Sequence, residues 1–220
     1  MKIIDLFFPP VCPVCNGYAG KNVLCDVCSV KMKELEVPSQ KHISVDGKAV
    51  KAYYLYNYGS KEFEKYVFAL KKRGNKDLFV HAAHLLESVL PYDSIGSNTV
   101  ITGIPRRKTN VRKYGYDQSY RIAKSLAKIL GVRYKALIAR RGFSKEQKEL
   151  DFEQRRHNVS GKFRAVYTSD VDRIIVVDDV LTTGSSFSEC VRMLRNVYGN
   201  GIEIIGVFLA AKNGAKIECE

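Results

Sequence analysis

The sequence predicts an α/β domain built on a largely parallel sheet flanked by helices, preceded by a small cysteine-rich segment. Three observations carry this reading. Apolar runs at residues 173–177 (RIIVV) and 202–210 have the length and composition of strands buried on both faces, as parallel pairing requires. Around them, apolar residues recur at helical spacing, so strand and helix patterns alternate along the chain. Four of the six cysteines lie at the start of the chain in two CxxC pairs. With 220 residues, 45% of them hydrophobic and 27% charged, the chain is long enough to bury a substantial core.

Two zones follow, a cysteine segment over residues 1–38 and the α/β domain over residues 42–214. Cys12 and Cys15, then Cys25 and Cys28, form a CxxC–x9–CxxC pattern. Sulfurs two residues apart can bind one metal from a single tight turn. Two such turns complete the S4 tetrahedron that Zn2+ prefers. Four thiolates leave no open coordination position, so the expected zinc is structural and supplies folding free energy that so short a segment lacks. A rubredoxin-type iron site and a redox dithiol are the alternatives. Cys190 and Cys219 stand alone, and Cys190 falls on a predicted helix as a core residue.

In the second zone, residues 50–58 (VKAYYLYNY) are aromatic and largely alternating, a strand pattern. Residues 62–72 place Phe63, Val67 and Leu70 at helical spacing and end before Gly74. A second helix is predicted over residues 77–90, with Asp77 as cap and Pro91 as stop, while His42 falls in a connector. Residues 99–104 (TVITGI) form a short buried strand that runs into Pro105. Residues 117–130 form a helix with Ile122, Leu126, Ile129 and Leu130 on one face, closed by Gly131. The strand at 173–177 leads to a helix over 186–198 and a last strand at 202–210. His81 and His84 share a helix face and read as packed or solvated, and no neighbouring group marks His157 as catalytic.

The 36 Lys and Arg outnumber the 23 Asp and Glu by 13. From Arg106 to Arg164 there are 18 basic and 5 acidic residues, so this quarter carries the whole excess. Interleaved tyrosines and glycines in loop-like context point to an anion site, for a small ligand's phosphates or a nucleic-acid backbone. No window approaches the roughly 18 apolar residues of a membrane span, and the opening apolar run is broken by Asp5 and lacks signal-peptide features. A soluble cytoplasmic protein without membrane insertion is expected.

The most informative stretch is residues 174–186 (IIVVDDVLTTGSS), a buried strand, two carboxylates, then a small-residue turn opening a helix. In open α/β sheets, ligands bind at the carboxyl ends of strands, where these residues fall. Thr182, Thr183, Gly184, Ser185 and Ser186 can present N–H groups and hydroxyls to a phosphate at the helix N-terminus. Asp178 and Asp179 cannot serve that phosphate but can accept hydrogen bonds from vicinal sugar hydroxyls, so the pattern suits a ribose 5-phosphate. It is not a Walker loop, because no lysine occurs between Lys162 and Lys212.

This stretch resembles the PRPP-binding signature of type I phosphoribosyltransferases. The chain as a whole resembles the ComF/GntX family, which joins an N-terminal zinc knuckle to a phosphoribosyltransferase-like domain. The resemblance runs through the IIDLFFPPVCPVC opening, LKKRG at residues 70–74 and YGYDQ at residues 114–118. It continues through Gln147, Leu150, Arg155, Arg156, Asn158, Gly161 and Phe163 to the DDVLTTGSS loop. It implies a type I phosphoribosyltransferase fold that binds PRPP with Mg2+. Asp178 and Asp179 would hold the ribose hydroxyls and residues 182–186 the 5-phosphate. The turn at residues 105–108 would meet the pyrophosphate, with Arg106 and Arg107 supplying charge. Two positions of the YGYDQ segment depart from the family pattern, Tyr114 where Arg is usual and Asp117 where Asn is usual, and Gly103-Ile104-Pro105 stands where the loop is commonly PVP.

The resemblance also implies a link to DNA uptake and natural competence, with phosphoribosyl transfer to an unidentified acceptor as the chemistry. A non-catalytic role is the alternative, as a PRPP sensor that docks other competence-machinery proteins or as a binder of single-stranded DNA. For the latter, candidate contacts are Arg106, Arg107, Arg112, Lys113, Tyr116, Arg140, Arg141, Arg155 and Arg156, with Tyr114, Tyr120 and Phe143 as stacking platforms.

Overall fold

A computed structural model describes residues 9–140, 163–166 and 168–212. Arg141, Phe143, Gln147, Leu150, Arg155, Arg156, His157, Asn158, Gly161 and Cys219 lie outside the described residues. Helix α1 (Asp26–Glu34) precedes a hairpin of strands β1 (Glu36–Val45) and β2 (Lys48–Asn57), then helices α2 (Lys61–Arg73) and α3 (Lys76–Glu87). Strand β3 (Thr99–Gly103) leads to helices α4 (Lys108–Tyr114) and α5 (Gln118–Ile129), then short strands β4 (Arg133–Tyr134), β5 (Ile138–Arg140) and β6 (Phe163–Ala165). Strand β7 (Arg173–Leu181), helix α6 (Ser185–Tyr198) and strand β8 (Glu203–Ala211) follow.

Six strands form one sheet in the order β1-β2-β8-β7-β3-β4, and β5 pairs with β6 separately. Strands β2, β8, β7, β3 and β4 are mutually parallel, and only β1 runs antiparallel, against β2. The sheet is therefore mixed at one edge. Strand β1 corrects the reading of His42 as a connector residue, since His42 pairs with Lys51. Its sequence, EVPSQKHISV, hides the strand because Pro38 cannot donate to a ladder. At the sheet edge this is tolerated, and the register shifts between Glu36 and Ser39.

Side chains from the two faces of the sheet bury two cores. One lies under α2, α3 and α5 and includes Phe63, Leu70, Phe79, Leu86, Ile122 and Leu126. The other lies under α6 and the β5–β6 pair and includes Phe163, Ile174, Val176, Phe187, Val191 and Leu194. Alternation along β7 sends Ile175 and Val177 to the first and Ile174 and Val176 to the second. Helix α5 buries Ile122, Ala123, Leu126 and Ala127 at the spacing of one helical face, each Ile or Leu worth about 1.5–3 kcal/mol.

Side-chain caps explain three of the six helix starts among the described residues. The Ser60 hydroxyl accepts from the Phe63 N–H, and the Asp117 carboxylate accepts from the Tyr120 N–H. At α3 the cap is Asn75, whose Oδ1 accepts from the Leu78 N–H at 2.9 Å, and not Asp77 as the sequence suggested. Asp77 sits in the first turn, where its charge favours the helix dipole. Among the described residues, no helix is long and apolar enough to cross a membrane.

Candidate functional site

From β3 the chain crosses to β4 on one side, and from β7 it crosses to β8 on the other. Strands β3 and β7 are parallel neighbours, paired from Thr99↔Arg173 to Gly103↔Val177. Their carboxyl ends therefore flank the topological switch point of the sheet, where adjacent loops diverge and leave a crevice. The Ile104 N–H donates to the Val177 carbonyl at 2.9 Å, so residues 105–107 emerge beside Asp178 and Asp179.

Strand β7 does not stop at Val177. It carries the acidic pair within the ladder and pairs on to Leu181↔Ala211, which fixes both aspartates on a rigid element. Beyond it, Thr182, Thr183 and Ser185 are exposed and Ser186 half-buried. Gly184, at φ 76°, takes the left-handed conformation that aims the turn into α6. The Thr183 and Ser185 hydroxyls lie 2.5 Å apart, and α6 begins with no side-chain cap. An open turn with clustered hydroxyls at an uncapped helix N-terminus can receive a phosphate.

The aspartates are held from three sides. The Ser119 hydroxyl donates to Asp178 at 2.6 Å, Gln118 Nε2 donates to Asp179 at 3.1 Å, and Lys71 Nζ lies 3.1 Å from Asp179. Asp179 is only 4% exposed, whereas Asp178 is half-buried. Burial and the adjoining Asp179 carboxylate push the Asp178 carboxyl up to about 7, against the hydrogen bonds from Ser119 and the Asp179 N–H. Lys71 and Gln118 lie in the LKKRG and YGYDQ motifs, where no role was assigned to either, and Ser119 lies outside any motif read from the sequence. Gly103 makes room for Gln118 and Ser119, since a Cβ there would lie 2.8 Å from the Ser119 carbonyl oxygen.

The basic residues separate into two groups. Arg106 is committed: its guanidinium donates to the Lys71 carbonyl at 2.9 Å and stacks on the Tyr114 ring at 4.9 Å, while its N–H donates to Asp117 at 2.7 Å. Arg140 donates to the Pro105 carbonyl at 2.8 Å and stacks on Phe163 at 4.7 Å. Burial, then the nearby Arg107, lowers the Arg140 pKa. Arg107, Arg112 and Lys113 are exposed on or beside α4.

The two YGYDQ positions that depart from the family pattern each have a visible task. Asp117 caps α5 and ties down the Arg106 backbone, at the cost of burial that raises its own carboxyl pKa. Tyr114 accepts from Lys72, which lowers the phenol pKa despite a smaller opposing effect of desolvation. Tyr116 is half-buried, with its hydroxyl engaged by the backbone. Its hydroxyl donates to the Leu70 carbonyl and accepts from the Gly74 N–H, and its ring packs edge-on against Phe79 at 5.3 Å. Tyr120 packs edge-on against Tyr134 at 5.2 Å.

At the opposite end of the described chain, the Sγ atoms of Cys12, Cys15, Cys25 and Cys28 all lie within 4.8 Å of one another. The Cys15 and Cys25 sulfurs are 3.6 Å apart, near the edge of about 3.8 Å that a tetrahedron with metal–sulfur bonds of about 2.3 Å has. The first turn is closed by Asn16 at φ 61° and by a 2.8 Å bond from the Cys12 N–H to the Gly17 carbonyl. The second sits at the start of α1, with Cys25 as N-cap. Burial pushes the Cys12 thiol up, but backbone N–H donors of Cys15, Cys25 and Val14 outweigh it and hold the group at about 7. Burial and the three neighbouring sulfurs raise Cys28 strongly. Four sulfurs so close resist ionising together unless a cation neutralises them, so the donor set fits one metal ion.

The remaining candidates are structural. Cys190 is fully buried on α6, and burial, then Asp178 and Glu189, raise its thiol. His81 is hydrogen-bonded to the Tyr66 hydroxyl at 2.8 Å, and burial lowers its pKa; His84 pairs with Glu87 on the surface.

No family model matches the chain, and no curated protein matches it. Among solved structures, it is similar to an allosteric regulatory enzyme of purine biosynthesis, at 18% identity and TM-score 0.42 over 64% of this chain and 29% of that one. A glutamine phosphoribosylpyrophosphate amidotransferase from B. subtilis aligns at 16% identity and TM-score 0.41 over 64% of this chain and 30% of that one. Orotate phosphoribosyltransferase from Aeropyrum pernix aligns at 19% identity and TM-score 0.40 over 86% of this chain and 84% of that one. The chain spans less than a third of the length of the first two. At these scores the likeness concerns the course of the chain and says nothing of its site.

Proposed function

We propose that the switch-point crevice binds PRPP together with Mg2+, and that the chain is a phosphoribosyltransferase-like protein of the ComF type. One observation carries the reading: the acidic pair of β7 and the open hydroxyl turn of α6 adjoin the basic turn after β3, at the carboxyl ends of two neighbouring parallel strands. Thr182, Thr183, Ser185 and Ser186 would hold the 5-phosphate, and Asp178 and Asp179 would accept from the 2- and 3-hydroxyls of the ribose. Arg107, which is exposed, would meet the pyrophosphate, while Arg106 would hold the turn that presents it. Mg2+ would enter with the ligand, bound to its diphosphate oxygens, and neutralise part of its charge.

The chemistry such a site suits is substitution at ribose C1. A bond forms from an acceptor nucleophile to C1 while the bond from C1 to the pyrophosphate oxygen breaks, and the electron pair leaves with pyrophosphate. Charge grows on the leaving group, so fixed cations beside it lower the barrier. Pyrophosphate release from PRPP across a panel of bases separates turnover from binding and identifies the acceptor. The family order of motifs supports a role in DNA uptake. The cysteine cluster is read as a structural zinc site, because an S4 donor set of this spacing favours zinc.

Calorimetric titration of the full chain with PRPP and Mg2+ tests the site. Binding is expected for the parent, and its loss for the Asp178→Asn, Asp179→Asn double variant. Equal affinities for the two proteins, with the variant folded by circular dichroism, would sink the ribose role.

A further inference from the structure

Away from the crevice, helices α3 and α5 flank a groove of about 750 Å³ whose chemistry the PRPP reading leaves unused. Its floor is apolar, built from Phe79, Val80 and Ile129. Phe79 lies under the groove because Gly74 has no side chain: a Cβ there would come within 2.4 Å of the Phe79 ring. Its rim carries four cations, Lys76 on α3 and Arg121, Lys124 and Lys128 on α5. The three on α5 follow the helical period and so form one stripe along the groove. No carboxylate lines the groove, and among the described residues none of the four cations is in an ion pair. Elsewhere Lys and Arg do find partners: Lys71 meets Asp179, Arg173 meets Glu203 and Arg192 meets Asp46.

We propose that this groove is a second ligand site, for an organic phosphate carried on a flat apolar ring, of mononucleotide size. Its volume falls in the range of small-molecule sites, and its apolar floor beneath a few placed charges is their usual make-up. Four unneutralised cations around it select an anion, and a ring laid against the half-buried Val80, Tyr116 and Ile129 supplies the burial that a bare phosphate lacks. The chemistry is that of a nucleotide, free or within a strand.

The test uses 1-naphthyl phosphate, which has the ring and the phosphate but no ribose for the acidic pair. Titrated by its own fluorescence into the full-length protein, it is expected to bind, and inorganic phosphate to bind much more weakly. Charge reversal of two exposed residues, Lys124→Glu with Lys128→Glu, is expected to weaken naphthyl phosphate roughly tenfold or more while leaving PRPP affinity unchanged. The Asp178→Asn, Asp179→Asn variant is expected to do the reverse. Failure of PRPP binding alone leaves this site standing, and failure here leaves the PRPP site standing. AMP and a ten-nucleotide oligo-dT, titrated into the parent and into the two-lysine variant, assign the source: the one whose affinity falls more in the variant is the natural form. Naphthyl phosphate affinity that is unchanged by the two lysine substitutions, or no better than that of inorganic phosphate, overturns the proposal.

Discussion

Burial and the adjoining Asp179 carboxylate raise the Asp178 carboxyl from 3.8 to about 7, which brings its ionisation toward neutral pH. The folded chain therefore holds this proton more tightly than the unfolded one. The stability conferred is complete below about 3.8 and is lost as pH rises through about 7. Asp178→Asn keeps an oxygen for the Ser119 hydroxyl but removes the ionisation. The variant's melting temperature, relative to the parent, is expected to climb between pH 5 and pH 8 when both are followed by circular dichroism. A difference that stays constant with pH would mean that Asp178 does not titrate in this range. The same ionisation should strengthen PRPP binding in the parent over this interval, since a carboxylate accepts hydroxyl bonds better than a carboxylic acid. The paired aspartates were legible because strand, acids, turn and helix are contiguous in sequence. Ser119, 59 residues away from Asp178, was not, and the LKKRG motif that contains Lys71 did not show its pairing with Asp179, because a long-range contact leaves no local pattern.

Helix α5 owes its position to one missing side chain. Gly103 lets the Ser119 backbone approach β3, and that approach brings Gln118 and Ser119 to the acidic pair. Gly103→Ala forces the helix start away, with an overpacking cost of about 1–3 kcal/mol. A lowered melting temperature is expected, with PRPP affinity reduced although no ligand contact is altered. Unchanged melting and affinity would show that the approach is not needed. In the sequence Gly103 appeared as a residue of the short strand and of the loop that departs from PVP, and nothing there reveals which helix crosses it. Helix α5 itself was readable, because its apolar residues keep one face and Asp117 caps it. Helix α4 was not: its seven residues bury no side chain, so they lack the periodicity that marks a packed helix. Strand β1 escaped for a related reason, as its polar edge and Pro38 disguise a pairing that only β2 can supply.

Described side chains of the cysteine segment, read from the sequence as residues 1–38, join the main core. Cys12, Val14, Leu24, Cys28 and Met32 belong to the buried cluster that also contains Phe63, Leu70 and Leu78. Arg73 of α2 adds a 3.0 Å bond to the Asn16 side chain, in the turn between the first two cysteines. Strand β1 starts at Glu36, immediately after α1, so no free linker separates the two zones. If the cluster holds one zinc ion, the free energy of binding stabilises a packed wall of the main core, beyond the loop it closes. Removing the metal with a chelator is then expected to lower the unfolding temperature of the whole chain, on the order of 10 °C, in a single cooperative transition. Elemental analysis should give one zinc per chain. Cys15→Ser changes the exposed ligand without touching the buried sulfurs, and it should reproduce the loss. Two separate unfolding steps, or a main transition indifferent to the chelator in a zinc-loaded sample, would show instead that the segment and the α/β domain fold independently.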